Sequence, residues 1–226
     1  MSYRLRDDVT FCHVDGYVIF LDVEGNRYFR LPAAQEKAFL SVLAGQTAAG
    51  PGLDELIEND LLVACSSNAA RTTAPTLRGP SRSALEQRSL PLNFELLVTL
   101  EVFATTQSML WQLRRHDLKG MLNRLTAHRE IHTTPQPADS TRLDERQLLR
   151  SATQFNHARR YVPIEPSCLL DSLSLVRFLA RRGLHANIIF GVTPQPWAAH
   201  CWAQAGDLAL NETVCDANAY TPIRCI

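Results

Sequence analysis

A chain of 226 residues, 46% of them hydrophobic, has room for one large or two small domains and can bury a core without crosslinks. Even the apolar stretch at residues 94–100 contains Glu95 and Thr99 and is far shorter than the roughly 18 residues a membrane helix needs, so no membrane partner is expected. The formal net charge is zero, which removes the strongly basic signature of a nucleic-acid-binding protein.

That zero conceals an asymmetry along the chain. Residues 1–65 carry five Lys or Arg against ten Asp or Glu, a net charge of −5, and residues 66–226 carry eighteen against thirteen, a net charge of +5. The acidic first part opposes binding to phosphate backbones, so we expect no nucleic acid as a partner. No charged and apolar leader with a small-residue cleavage site opens the chain, which predicts the reducing cytoplasm as the compartment.

Neither a metal nor another cofactor is predicted. The six cysteines lie mostly far apart and form no CxxC motif, which argues against a zinc ribbon and against a disulfide scaffold. His128 and His132 are one helical turn apart, but no further ligand lies near them in sequence. No Gly-rich phosphate loop is present either.

The first 65 residues have the alternation of short antiparallel strands. Strands are predicted at 9–14, 17–23 and 27–31, with turns at Asp15-Gly16 and Glu24-Gly25-Asn26. A helix from Pro32 to a stop at Gly45, a short helix around 53–57 and a closing strand at 61–63 follow. This order predicts a small winged-helix-like domain over residues 1–65.

Residues 66–89 are small and polar and contain two prolines, which predicts a linker. A flexible linker of about 24 residues spans on the order of 25 to 30 Å, so we expect it to tether the first domain near the second. Residues 90–226 form the second domain. Its predicted elements are one or two helices within 92–127, helices over 144–159 and from Cys168 to Gly183, and strands at 186–192, 199–205 and 208–214. Helices followed by an antiparallel sheet indicate an α+β layout.

Cys168 and His200 are the residues best placed for chemistry. Cys168 follows Pro166 at the start of a predicted helix, where Ser167 is a candidate cap and the positive end of the helix dipole favours a thiolate. His200 lies on the second strand after that helix, within reach of a helix N-terminus that packs on the sheet. The pair predicts nucleophilic catalysis, although a single cysteine at a helix start is more often a small buried hydrophobic residue.

Two neighbouring residues compete to orient the histidine. If Gly206-Asp207 is a two-residue hairpin loop, Asn211 shares a strand face with His200. A one-residue bulge near the turn brings Glu212 to that face instead, because a single-residue slip reverses every side chain. Strand alternation alone therefore does not decide whether Asn211 or Glu212 orients His200.

The remaining cysteines and the tryptophans have more ordinary interpretations. We expect five cysteines to be packing or incidental thiols: Cys12, Cys65, Cys201, Cys215 and Cys225. Trp197 and Trp202 are expected in the core or in the wall of a pocket.

The C-terminal part has a recognisable set of motifs. They are Cys168 to Leu173, Arg181 to Ala186, Ile189 to Val192, Pro196 to Trp202, and Leu210-Asn211-Glu212. In order and spacing, over roughly residues 160–215, this block resembles the transglutaminase-like cysteine protease of lasso peptide biosynthesis, a papain-like fold. The resemblance implies Cys168 as nucleophile, His200 as base and Glu212 as third catalytic residue. The family has Asp at the last position, and Asn211 is the alternative.

The first domain resembles the small leader-recognition domain of peptide-modifying enzymes, which is similar to the pyrroloquinoline-quinone chaperone fold. In such domains a leader peptide adds as a strand beside the third strand and packs on the last helix, so backbone bonds give affinity and alternate side chains give specificity. The positions implied here are Arg27, Tyr28, Phe29, Arg30 and Leu31 on the strand, with Leu53, Leu56 and Ile57 on the helix.

Together the resemblances imply a leader peptidase of the microcin type, with both domains fused. It binds the leader of a ribosomally made lasso precursor and hydrolyses the leader-core peptide bond, which frees the core amine for an asparagine-synthetase-like cyclase partner. Two other classes stay open. A Cys-His-acid arrangement also catalyses acyl transfer in crosslinking enzymes. Alternatively, the chain is a noncatalytic scaffold that binds the precursor without cleaving it.

Overall fold

The structure is a computed structural model that describes residues 2–46, 50–65, 78–87, 95–133 and 142–226. The strands are β1 (Ser2–Leu5), β2 (Val9–Val14), β3 (Tyr17–Asp22), β4 (Arg27–Phe29), β5 (Leu62–Cys65), β6 (Arg82–Ser83), β7 (Asn187–Pro194), β8 (Trp197–Ala205), β9 (Leu208–Ala209) and β10 (Thr221–Cys225). The helices are α1 (Ala33–Leu43), α2 (Pro51–Glu58), α3 (Leu96–Arg115), α4 (Leu118–His132), α5 (Arg142–Arg159), α6 (Cys168–Ala180) and α7 (Val214–Asn218). Mixed helix and sheet confirm the predicted class. No helix in these ranges is both long and apolar enough to cross a bilayer.

The first three predicted strands form an antiparallel sheet in the order β2-β3-β4. Asp15 and Gly16 both have positive φ, 47° and 79°, as the two-residue turn of a tight hairpin requires. Helices α1 and α2 cover one face of this sheet, and Phe11, Phe20 and Phe39 pack together between them. Strand β1 was not predicted from the sequence. It pairs with β5 in a second, two-stranded sheet of this half.

The C-terminal sheet has the order β10-β7-β8-β9-β6, and α6 packs against β8 with α3, α4 and α5 around it. Phe178 of α6 is fully buried and contacts Phe155 of α5, with the ring centroids 5.3 Å apart. Each residue of α6 from Ser172 to Val176 is buried, so this helix is the centre of the half. The helix that begins at Cys168 is therefore held rigidly against the sheet that carries His200.

Two predictions about this half are wrong. The strand predicted over 208–214 ends at Ala209, and Val214 begins α7 instead. The predicted linker 66–89 includes β6, which pairs in parallel with β9, and Ser83 within it is 1% exposed. A two-residue strand is too short to show a hydrophobic period. It is held by backbone hydrogen bonds from Arg82 to Asp207 at 3.1 Å and from Ala84 to Ala209 at 2.8 Å.

Other parts of these predictions fall outside the described residues. They are residues 66–77 and 88–89 of the linker, the predicted start of the second domain at Leu90, and the polar stretch after Thr133 up to residue 140.

The two halves are docked on each other, contrary to the expectation of a free tether. Alternate residues of β3 face opposite sides, so Phe20 enters the N-terminal core while Ile19 and Leu21 join the core of the C-terminal half. At the edge of this contact Lys119 Nζ lies 2.7 Å from Asp8 Oδ2, which joins the basic half to the acidic half. The second face of the N-terminal sheet is therefore buried by the rest of the chain.

Candidate active site

Cys168 is the first residue of α6, and the residue as a whole is exposed although its thiol is partly buried. The backbone of Ser167 has the extended conformation of an N-cap residue, with φ −148° and ψ 134°, but its hydroxyl makes no capping hydrogen bond. The suggested side-chain cap is therefore absent. The first amides of the helix point at the thiol end, where they favour a negative charge.

A buried arginine holds the loop that leads to Cys168. Arg159 Nε donates to Asp171 Oδ1 in the first turn of α6 at 2.7 Å. Its other nitrogens donate to the carbonyl oxygens of Val162 at 3.3 Å and Ile164 at 2.9 Å. Burial raises the pKa of Asp171, and the hydrogen bond from Arg159 opposes that rise. This arginine fixes the start of α6 relative to α5, and sequence reasoning missed it because its partners are mainly backbone carbonyls.

The start of α6 docks on an unpaired edge of β8. Strand β9 pairs with β8 only at Gln204 and Ala205, and one further backbone bond runs from the Leu210 amide to the Ala203 carbonyl at 2.9 Å. Before Ala203, no strand of the described chain lies on this side of β8. Backbone groups of every second residue point to the same edge, and the amide of Ala203 and the carbonyl of Cys201 both do so here. Side chains take the place of the missing strand.

Asn211 is the main such side chain. Its Oδ1 accepts a hydrogen bond from the Ala203 amide at 2.8 Å, and its Nδ2 donates to Ser172 Oγ at 3.0 Å. Ser172 Oγ in turn donates to the carbonyl of Cys201 at 3.3 Å. Asn211 thus ties α6 to the edge of β8, and it is not the residue that contacts His200.

Glu212 is the residue that meets the imidazole. His200 Nε2 lies 2.6 Å from Glu212 Oε2, which leaves Nδ1 for Cys168. The Gly206-Asp207 loop has the two-residue register, since Gln204 pairs with Ala209 and Ala205 with Leu208. Glu212 reaches the histidine without a bulge, because the chain leaves the sheet after Ala209 and strand parity no longer applies.

The segment predicted as linker supports this glutamate. Ser83 Oγ donates to the carbonyl of Glu212 at 2.6 Å, and Glu86 Oε1 accepts a hydrogen bond from the amide of Val214 at 3.2 Å. Glu212 Oε1 accepts a further bond from the amide of Thr213 at 3.0 Å. The carboxylate is therefore fixed at both oxygens, and β6 holds its backbone.

These contacts favour a thiolate-imidazolium pair. Hydrogen bonds from the Cys201 thiol and from the His200 ring lower the pKa of Cys168 to about 4, although burial opposes the shift. The hydrogen bond to Cys168, followed by the one to Glu212, raises the pKa of His200 to about 9. Between these two values the sulfur is anionic and the ring is protonated.

Cys201 was expected to be incidental, and the structure places it beside the candidate nucleophile. It is buried, and its hydrogen bond to Cys168, together with burial, raises the pKa of the Cys201 thiol. Cys201 therefore stays protonated and donates to the Cys168 sulfur. Sequence patterns had no means of finding this role, since neighbouring residues on a strand normally face opposite sides.

The predicted leader-binding residues separate into two groups. Strand β4 is the edge of the N-terminal sheet, as expected for strand addition, and Arg27 and Arg30 on this segment are exposed. Leu53 and Leu56 are 7% and 1% exposed in the N-terminal core, so these two helix positions are not available to a peptide. The amphipathic pattern of α2 faces its own sheet, which accounts for the burial. Phe29, Leu31 and Ile57 are partly buried against the same core.

The two tryptophans also differ. Trp202 is fully buried and Trp197 is 53% exposed. The Trp197 ring lies 5.8 Å from the ring of Tyr28, so a residue of β4 contacts the first residue of β8. In the described part of the chain no group of three or more His, Cys, Asp or Glu residues is arranged to hold a metal ion.

Comparison with known proteins gives one match. The family model described as the transglutaminase-like superfamily matches residues 109–225, a segment that includes Cys168, His200 and Glu212. No curated protein and no solved structure gives a significant match to the chain.

Proposed function

The chain belongs to the transglutaminase-like superfamily, and on that premise we propose that it is a cysteine leader peptidase of the lasso peptide type. The superfamily includes both cysteine proteases and crosslinking enzymes, so peptide chemistry at a cysteine is the common ground. The proposal adds the substrate, a ribosomal precursor peptide, and the bond, the one between leader and core.

The observation that carries the proposal is the contact chain from Cys168 through His200 to Glu212. In the proposed reaction Cys168 Sγ attacks the scissile carbonyl carbon, the carbon-nitrogen bond breaks, and His200 gives its proton to the departing amine. Water then attacks the thioester while His200 accepts its proton, and the leader acid and the thiolate are released. Glu212 holds the imidazole in position throughout.

The oxyanion of each tetrahedral intermediate needs hydrogen-bond donors. The backbone amide of Cys168 is one candidate, because the first amides of a helix have no partner within the helix. The adjoining loop is fixed by Arg159, so this donor is rigidly placed.

Strand β4 supports the leader-binding part of the proposal. An edge strand presents unpaired backbone groups to which an extended peptide can add. The freed core amine would then be the substrate of a separate cyclase partner. Neither a nucleic acid nor a membrane has a role in this proposal.

The test uses the full-length chain and peptides chosen for binding to it. Leader segments are selected by phage display on the full chain, synthesised with a randomised core segment attached, and incubated with the protein before mass spectrometry. We expect cleavage into two fragments with the gain of one water. Cys168→Ala should abolish cleavage, and Cys215→Ala, a change at an exposed thiol of α7, should leave it unchanged.

The same spectra distinguish the other candidate classes. A loss of ammonia with joining of two peptides would replace hydrolysis by crosslinking, which the superfamily also contains. Binding without any mass change, in the wild type as in Cys168→Ala, would leave a noncatalytic scaffold and overturn the proposal.

A further inference from the structure

Tyr28 is the one member of the expected leader-binding set that packs on the C-terminal half. It lies on β4 between Arg27 and Phe29, and the ring of Phe29 stacks on Phe20 in the N-terminal core, 5.2 Å between centroids. Side chains alternate along a strand, so Tyr28 points to the opposite face and packs against the hydrophobic core that includes Leu170 of α6 and Cys201 of β8.

Trp197 meets Tyr28 on that side. The two rings lie 5.8 Å apart at 68°, an edge-to-face arrangement. Trp197 and Cys201 are four residues apart on β8 and therefore share a strand face, and the Cys201 thiol bonds the Cys168 sulfur. The two aromatic rings thus stand on the face of β8 that carries Cys201 and packs on α6, and 53% of Trp197 is open to solvent.

The electrostatics of Tyr28 agree with this position. Burial raises the pKa of the Tyr28 phenol, and the charges of Cys201 and Cys168 raise it further. The neighbouring cations are turned to other rings: Arg27 lies over Phe29 at 5.2 Å, and Arg30 lies over Tyr17 at 4.0 Å. Both arginines are therefore engaged elsewhere, and the surface that Tyr28 and Trp197 present to a peptide is aromatic.

We propose that Tyr28 and Trp197 form an aromatic subsite, contributed by both halves of the chain, that binds an apolar side chain of the peptide on the N-terminal side of the scissile bond. The direction rests on the proposed function. A leader added to β4 precedes the core in the peptide, so the residues that pass Tyr28 on the way to Cys168 belong to the leader. The N-terminal sheet is then a wall of the active site as well as a docking element.

The experiment measures how fast Cys168 is labelled by small peptide reagents. Acetyl-Leu-Gly, acetyl-Asp-Gly and acetyl-Lys-Gly fluoromethyl ketones are compared by intact mass and peptide mapping. We expect the leucine reagent to inactivate the wild type about tenfold faster than the other two, because its side chain packs against the solvent-facing surface of the aromatic pair. Tyr28→Ala and Trp197→Ala should each reduce that preference to less than about threefold.

Two further variants separate the subsite from a general effect. Tyr28→Phe keeps the ring and should keep the preference. Trp111→Ala removes an aromatic ring on α3 whose exposure, 50%, is similar to that of Trp197, and this variant should also keep the preference for the leucine reagent. Because Trp197 is half exposed, its alanine variant is expected to fold even where Tyr28→Ala does not, and the ratio of two rates is independent of the fraction folded.

The outcomes distinguish this inference from the function on which it rests. If wild-type Cys168 reacts with these reagents and with iodoacetamide no faster than Cys215, the cysteine peptidase itself is overturned. If Cys168 reacts fast but shows no preference for leucine, or keeps that preference in the Trp197→Ala variant, the subsite alone is overturned.

Discussion

The edge of β4 and the edge of β8 are both strand backbones left unpaired by their own sheets, and they differ in what completes them. At β8 the chain supplies its own substitutes: the side chain of Asn211 and the start of α6 bond to the edge where β9 has ended. At β4 the described chain supplies no further strand, and the sheet order ends there. The edge of β8 is closed beside the candidate nucleophile, and under the proposed function the edge of β4 is the one to which a peptide adds.

The contrast shows how one structural feature serves two purposes. A buried edge costs stability unless its polar groups are satisfied, whereas an exposed edge is hydrated and can pair with another chain. Tyr28 and Trp197 connect the two edges, since one lies on β4 and the other on β8. Changes at the two edges should therefore have different consequences, for reactivity and stability at β8 and for peptide binding at β4.

His200→Ala should have the largest effect, on the reactivity of Cys168. The hydrogen bond from Cys201, the largest cause of the lowered pKa of Cys168, remains in this variant, but the hydrogen bond and the positive charge of His200 are lost. The pKa of Cys168 therefore rises and the thiolate is scarcer at pH 6. We expect the rate of alkylation of Cys168 by iodoacetamide at that pH, measured by mass spectrometry, to fall about 100-fold. Unchanged alkylation would mean that His200 does not act on the sulfur, and Cys215 serves as an internal reference thiol.

Glu212→Gln should reduce peptide cleavage about tenfold by weakening the hold on His200. Cleavage by the wild type should rise as pH increases past about 4, where Cys168 ionises, and fall as pH increases past about 9, where His200 loses its proton. Because the Glu212 contact raises the pKa of His200, its loss moves the alkaline limb to lower pH. A variant with an unmoved alkaline limb would contradict this role for the carboxylate.

Asn211→Ala tests the closed edge as a matter of stability. It removes the partner of the Ala203 amide and of Ser172 Oγ, and unsatisfied polar groups of this kind cost about 1 to 3 kcal/mol. Urea unfolding should show that loss. Asn123→Ala on the exposed surface of α4 is the control and should change stability far less. Equal stability of both variants would refute the bridging role.

The open edge is tested by backbone methylation of a selected leader peptide. Methyl groups on alternate amides, the set that faces β4, should lower affinity about fivefold for each hydrogen bond lost, and methyl groups on the other set should not. Fluorescence anisotropy with the full chain measures both. If both methylated series bind alike, the peptide does not add as a strand.

Lys119→Ala should have the smallest effect, because its ion pair with Asp8 lies between the halves but is still partly exposed to solvent. We expect a slight decrease in thermal stability that disappears in high salt, since salt screens exposed charges. A large decrease at high salt would show that the lysine supports the contact between halves in some other way.

Local patterns were sufficient for much of the fold. Strands β2, β3 and β4 and helix α6 begin within a residue or two of their predicted positions, because hairpin turns and helix starts are encoded by adjacent residues. Strands β1, β6 and β10 were not predicted. Each of them pairs with a strand far away in sequence or is too short to show a period, so no local pattern reveals it.

The residue types and order of the candidate site were available from the sequence by itself: a cysteine at a helix start, a histidine on a following strand, and an acid or amide beyond a turn. Only the tertiary structure decided which of Asn211 and Glu212 contacts His200, and only it brought Cys201 and Ser83 next to the candidate catalytic residues. The physical reason is that strand parity holds only while the strand lasts. Once the backbone leaves the sheet after Ala209, long-range hydrogen bonds determine where each side chain lies.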